Sequence, residues 1–317
     1  MDADRLREVH RLATLTRAVD ERLWALSRQG RAGFVLTGRG HELAQIATAM
    51  SLRVGVDSAW LYYRDLGVAL TMGVTPHEVF LGALGKADDP HSGGRQLTAH
   101  FSSRALRIGS VSSEVAGHLP HAVGAAYAHR VLGDGGVAVC WFGDGAASEG
   151  ATHEAMNFAG VHRLPVVFVC ENNGLAISVP LSLQMAAPVA ARAAGYGMPG
   201  LTVDGTDVDR VWAAASDAMD RARAGEGPTL LEVGVPRMLA HSSQDDESYR
   251  TDEERAALVA ADPLVALRRR LVDEGVLSQD DVDAEIASTA ESVRDDAHRA
   301  LDAPDPTPDR LHRWLYA

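Results

Sequence analysis

The chain has 317 residues, 46% of them hydrophobic and 23% charged, enough for one large α/β domain with arms or for two smaller domains. Its formal net charge of −13 disfavours nucleic acid or an anionic membrane as the main partner. No apolar run approaches the length that spans a bilayer, and MDADRLREVH is no signal peptide.

In chain order, Leu6, Val9, Ala13, Leu23 and Leu26 recur at helical spacing, with Gly30 as the stop. Residues 33–40 (GFVLTGRG) read as a loop, and His41-Glu42-Leu43-Ala44 opens a second helix. Tyr62-Tyr63-Arg64 closes an apolar stretch. A guanidinium fork suits phosphate oxygens, although a surface salt bridge is the plainer reading of Arg64 taken alone. Thr75-Pro76-His77-Glu78 carries a cap, a first-turn proline and a glutamate three residues after the cap, the signature of a helix start. Residues 86–104 are polar, glycine-bearing and too long for a passive connector. Ser112 to Pro120 then leads into the helix AVGAAYAHRVLG, and Gly133-Asp134-Gly135 reads as an ordinary turn.

Residues 137–142 and 165–170 are short apolar runs separated by a helix-length segment, which predicts a βαβ unit with parallel strands. Cys140 and Cys170, the only two cysteines, fall in these strands and read as buried thiols of a cytoplasmic protein. Polar loops follow both strands: Gly143-Asp144-Gly145-Ala146 and Glu171-Asn172-Asn173. Ligands of such sheets bind beyond the carboxyl ends of the strands, so Asp144 and Asn173 are expected to converge. A carboxylate and an amide oxygen are hard donors that suit Mg²⁺, while the glycines and a helix starting near Ser148 favour an anion. A magnesium diphosphate is the natural guest. Residues 201–205 form a further strand and turn, Asp207 caps the next helix, and residues 229–235 are another buried strand.

The GDG…NN arrangement resembles the thiamine diphosphate signature. With ASEGATHEAMNFAG, ENNGLAIS and AHSSQDDESYR, it resembles the alpha subunit of thiamine diphosphate-dependent 2-oxoacid dehydrogenases, nearest the branched-chain type, from about Gly30 onward. The resemblance implies a mainly parallel sheet flanked by helices, with an N-terminal helix and a C-terminal helical arm. On this reading residues 1–251 hold the cofactor-binding domain and 252–317 the arm. It assigns Tyr63, Arg64, Gly145, Ala146, Arg237 and His241 to the cofactor, His241 reaching its reacting end and Arg237 ordering the loop. Ser113 and Val115 would support the thiamine pyrimidine, and Asp144, Asn173 and the Leu175 carbonyl would ligate Mg²⁺. His100 lies in a segment that resembles one near the substrate, with a satisfied loop histidine as the alternative. Leu36 stands where pyruvate-using members tend to place a histidine, which favours an apolar substrate, a simple packing role being the alternative. Branched-chain members often carry Thr-Gln, which helps bind a structural potassium, where this chain has Gly117-His118, so that ion is not expected. Glu171 is shared with pyruvate-type members.

The implied activity is oxidative decarboxylation of a branched-chain 2-oxo acid with reductive acyl transfer to a lipoyl-bearing acyltransferase component. Pyruvate or acetoin dehydrogenase alpha subunits are the alternative, and a non-catalytic scaffold subunit is the alternative from another class. The glutamate that assists the aminopyrimidine belongs to a separate domain in this family, so a beta subunit, in a heterotetramer of two alpha and two beta, is implied. The polar loop 241–250 is expected to be mobile until a diphosphate gives Arg237 and His241 their partners. A phosphate on Ser242 would add about −1.5 to −2 charges there.

Overall fold

The computed structural model describes residues 1–310; residues 311–317, the end of the C-terminal arm, lie outside the described residues. The chain opens on α1 (Ala3–Arg28), started by the Asp2 carboxylate on the Arg5 N–H and ended where Gly30 turns to φ 69°. There follow α2 (Glu42–Ala49), β1 (Ser58–Trp60), α3 (Leu66–Met72), α4 (Pro76–Ala83) and α5 (His118–Leu132). The predicted unit is β2 (Ala138–Gly143), α6 (Gly150–Val161) and β3 (Val166–Asn172). A tight hairpin, β4 (Leu175–Ala176) and β5 (Val179–Pro180), precedes β6 (Gly200–Asp204), α7 (Val208–Arg223) and β7 (Thr229–Gly234). The C-terminal region is helical: α8 (Asp252–Ala260), α9 (Pro263–Asp273) and α10 (Gln279–Asp302). Thr75 and Ser278 each form a full capping box, and the Asp207 side chain caps α7. The helix expected near Ser148 starts later, because residues 145–148 first make a 3₁₀ turn.

Five strands form one parallel sheet in the order β1-β2-β3-β7-β6. The central strands are buried on both faces, as their unbroken apolar runs require. Side-chain alternation divides them between two cores. Val139, Trp141, Val167 and Val169 pack with α1, α2 and α7, whereas Cys140, Phe142, Phe168 and Cys170 pack with α5 and α6. Both cysteines are buried and unpaired. No helix of the described residues is long and apolar enough to cross a membrane.

The terminal helices are riveted to this body by one buried cation. Arg17 of α1 donates from Nε to Glu42 at 2.6 Å and from Nη1 and Nη2 to Asp262 at 2.8 and 3.1 Å. Glu42 also accepts the Gly40 N–H at 2.6 Å, so the cluster reaches the 33–40 loop. Gly40 is held at φ 96°, and a Cβ there would lie 2.1 Å from the Pro236 carbonyl oxygen, so only glycine lets the two loops touch. Removing one member of a buried ion cluster strands the others. Arg17→Met is therefore expected to lower stability by about 3–5 kcal/mol in urea denaturation. A loss below about 1 kcal/mol would contradict this role for the cluster.

Candidate active site

Gly143 of β2 lies opposite Glu171 of β3, so both strands deliver their following loops to the same edge of the sheet. The Asn173 N–H donates to Asp144 Oδ1 at 3.3 Å, and a cavity opens over this contact. Gly143 to Ala146 line it from the first loop, and Asn173 and Leu175 to Ile177 from the second. Tyr62, Tyr63 and Arg64 come from the segment after β1, Ser112, Glu114, Val115 and Ala116 from that before α5, and His241 from that after β7.

Asp144 is 1% exposed, and desolvation raises its pKa above the ordinary carboxyl value. Among the described residues it also accepts the Gln184 amide, at 3.4 Å, and it has no ion-pair partner there. A buried carboxylate held by two long, neutral contacts is the complement of a cation. Asn173 Oδ1 accepts the Leu175 N–H at 3.2 Å, and opposite Leu175 stands Pro180, which has no N–H to offer its carbonyl.

Arg64, 3% exposed, supplies the opposite charge. Its Nη1 donates to the Thr37 carbonyl at 2.9 Å, and its Nη2 to His241 Nδ1 at 2.9 Å and the His241 carbonyl at 3.1 Å. Arginine only donates, so His241 Nδ1 accepts and the ring proton sits on Nε2. Desolvation first, then Arg64 and Arg237, lowers the His241 pKa to about 4. The imidazole is therefore neutral at pH 7. The Tyr63 ring stacks edge-on against His241 at 6.2 Å and lies 5.3 Å from the Arg64 guanidinium.

Two expected cofactor residues lie off the cavity wall. Ser113 turns its hydroxyl to His100 Nε2 at 2.8 Å, while its neighbours Ser112 and Glu114 face the cavity. His100 does not line the cavity and, 5% exposed, instead ties the 86–104 segment to Ser113. Arg237, 1% exposed, donates to the Ile177 carbonyl at 2.8 Å and to Tyr249 Oη at 2.6 Å, leaving Nε and Nη1 buried without partners. Leu36 is buried and does not line the cavity. The His118 ring bonds the Trp141 carbonyl through Nε2 at 2.7 Å, with burial lowering its pKa.

The 241–250 loop is densely hydrogen-bonded. Arg237 and His241 both have protein partners. The His241 N–H and Tyr249 Oη both donate to Asp245 Oδ2, at 2.8 and 2.7 Å, and Ser243 is bonded to Val35. Arg250 spans the Leu239 and Arg237 carbonyls, and Ser242 is 6% exposed. Hydrogen bonds within the loop, together with ties to Arg64 and Val35, hold it.

Behind the cavity lies a network invisible in the sequence. Glu171 Oε2 meets His41 Nδ1 at 2.7 Å, Tyr62 Oη at 2.9 Å and the Gln45 amide at 3.1 Å. Burial and the Glu171 charge push the Asp65 carboxyl well above its ordinary range. These residues are all at most 6% exposed. Glu171 thus faces the interior and braces the end of β3 against α2 and the segment after β1.

Comparison with known proteins gives the site its context. The sequence model of the family described as Dehydrogenase E1 component matches residues 10–309. The chain belongs to this family. It is 41% identical over 312 residues to the 2-oxoisovalerate dehydrogenase subunit alpha of Bacillus subtilis (strain 168), covering 98% of this chain and 94% of that protein. The 3-methyl-2-oxobutanoate dehydrogenase subunit alpha of Mycobacterium tuberculosis (strain ATCC 25618 / H37Rv) is 39% identical over 317 residues, covering 98% and 83% respectively. The mitochondrial 2-oxoisovalerate dehydrogenase subunit alpha of Homo sapiens is 34% identical over 317 residues, covering 99% and 71%. As an E1 member, this chain is an oxidoreductase component of a 2-oxoacid dehydrogenase, in a family that depends on thiamine diphosphate. The residues fit that group: the cation-seeking Asp144 stands in the same cavity as Arg64, whose guanidinium pairs with no carboxylate among the described residues.

The histidine environment is directly measurable. In a ring-proton NMR titration assigned by difference with His241→Gln, His241 of cofactor-free protein is expected to titrate near pH 4. A midpoint at the ordinary histidine value would contradict the Arg64 contact.

Proposed function

We propose that this chain carries the diphosphate half of a thiamine diphosphate site in a branched-chain 2-oxoacid dehydrogenase. The observation that carries the reading is the cavity that holds both the buried Asp144 carboxylate, which has no ion-pair partner among the described residues, and the Arg64–His241 pair. Asp144, Asn173 and the Leu175 carbonyl are the proposed Mg²⁺ ligands, an all-oxygen set of the kind magnesium takes together with phosphate oxygens. Arg64 offers the diphosphate a charge that persists at any working pH. Gly145 and Ala146 line the same cavity, Tyr63 packs against both Arg64 and His241, and Val115 would supply an apolar support at the pyrimidine end. Ser113 supports that segment through His100, and Arg237 acts from behind the Ile177 strand end. When bound, the cofactor supplies the carbon nucleophile and the electron sink that decarboxylation needs. His241, neutral with its proton on Nε2, is the group of this chain suited to donate a hydrogen bond from Nε2 at the reacting end.

The substrate we assign is a branched 2-oxo acid such as 3-methyl-2-oxobutanoate, on the strength of the relatives' names and an apolar wall that includes Val115, Leu175 and Ile177. The acyl product passes reductively to lipoyl groups of an acyltransferase component. Residues 1–251 form the cofactor-binding domain in this reading and 252–317 an arm. The second half of the site, with its activating glutamate, comes from a beta subunit in an assembly of two alpha and two beta chains. The buried, unpaired Cys140 and Cys170 suit a cytoplasmic setting.

Two outcomes are expected. Asp144→Ala in the assembled protein should abolish magnesium-dependent binding of thiamine diphosphate in calorimetric titration while leaving the circular dichroism spectrum intact; unchanged affinity would remove Asp144 from the site. The isolated chain should decarboxylate no 2-oxo acid, and with its beta partner it should favour 3-methyl-2-oxobutanoate over pyruvate at least about 10-fold in kcat/KM. Turnover by the isolated chain, or a preference for pyruvate, would overturn the half-site and the substrate assignments respectively.

A further inference from the structure

At the opposite end of the same strands lies a second cavity of about 600 Å³, within the size range of small-molecule sites. Its lining includes Arg130, Arg163, Arg223, His129 and His162, and no carboxylate, in a chain whose net charge is −13. Two of these side chains have carboxylate partners: Arg223 has Asp57 and Asp220, and His129 Nδ1 meets Asp134. Arg130 and Arg163 have none among the described residues. Arg130 is exposed, lies over the Tyr127 ring and donates to the His162 carbonyl, while the exposed Arg163 side chain has no polar partner among the described residues.

The placement of Arg163 argues that its side chain is wanted there. It follows the C-cap of α6 at φ 48°, its N–H on the Gly160 carbonyl and that of Leu164 on the Ala159 carbonyl. That left-handed position after a helix favours glycine, and a side chain there is strained. Facing it is the Gly133-Asp134-Gly135 turn, the copy of the motif that the cofactor site does not use. Gly133 and Gly135 stand at φ 63° and 70°, and the Asp134 and Gly135 N–H groups donate to no acceptor among the described residues. Val161, Pro165 and Ala222 supply apolar wall between the charged groups.

We propose that this cavity binds a phosphorylated small molecule of mononucleotide size. Arg130, Arg163 and the open N–H groups of the 133–135 turn take the phosphate, and the apolar wall takes the remainder. The turn leads directly into β2 and Arg163 into β3, so the ligand sits at the amino ends of the two strands whose carboxyl ends carry Asp144 and Asn173.

The test uses the alpha–beta assembly saturated with thiamine diphosphate and magnesium, which fills the cofactor site first. Calorimetric titration at low ionic strength with AMP should show one site per alpha chain, and adenosine should give no heat. Arg130→Gln and Arg163→Gly should each weaken AMP binding at least 10-fold. Arg163→Gly places the favoured residue in the left-handed position, so its melting temperature should stay level or rise, separating lost binding from lost folding. No binding of AMP at millimolar concentration, equal binding of adenosine, or unchanged affinity in both variants would overturn the proposal. Inorganic phosphate binding as tightly as AMP would overturn the assigned ligand size.

Discussion

The parallel register of β2 on β3 is the constraint on which the site depends. With Gly143 opposite Glu171, the two chains leave the sheet side by side, and Asp144 and Asn173 come into contact without any further device. A shift of one residue would turn every side chain of a strand to the other face. It would exchange the Val139–Trp141 set with the Cys140–Phe142 set and mix the two cores. Packing of the two faces therefore fixes the positions of the metal-seeking oxygens more firmly than the loops themselves do.

Around that register, charge is buried in pieces that each tie separate segments together. Arg17 joins α1, the start of α2 and the cap of α9. Glu171 joins the end of β3 to α2 and to the segment after β1. Arg64 joins the 33–40 loop to the loop after β7. Such clusters add less to stability than apolar packing of the same volume would, but they penalise any arrangement that leaves a member unpaired. The cavity walls, drawn from five separate segments, are held in one arrangement by that penalty.

Much of this was legible in the sequence. The strands β2, β3 and β7 are unbroken apolar runs bounded by turn residues, and their following loops carry the polar residues that meet. The strand β1 was not legible: it is three residues long, and its remaining pairing comes from the distant Arg107–Gly109 segment. The Glu171 network was invisible for a related reason. Its members lie as far as 130 residues apart, and polar pairs at such separations leave no period to read. Ser113 and Arg237 mark a different limit. Resemblance supplies a residue's identity, whereas the side of the wall to which it turns depends on partners such as His100 and Tyr249.

The brace that Arg250 makes across the Leu239 and Arg237 carbonyls has a thermodynamic corollary. Residues 237–250 are tied by hydrogen bonds to one another and to Arg64, Val35 and Ile177; if these form with the fold, the conformational entropy of that segment is lost when the chain folds and not when a ligand arrives. Association at this cavity should then resemble docking onto a rigid surface. It would carry a small negative heat-capacity change, set by the modest area of Val115, Leu175 and Ile177 that is covered, rather than the large one that accompanies coupled folding.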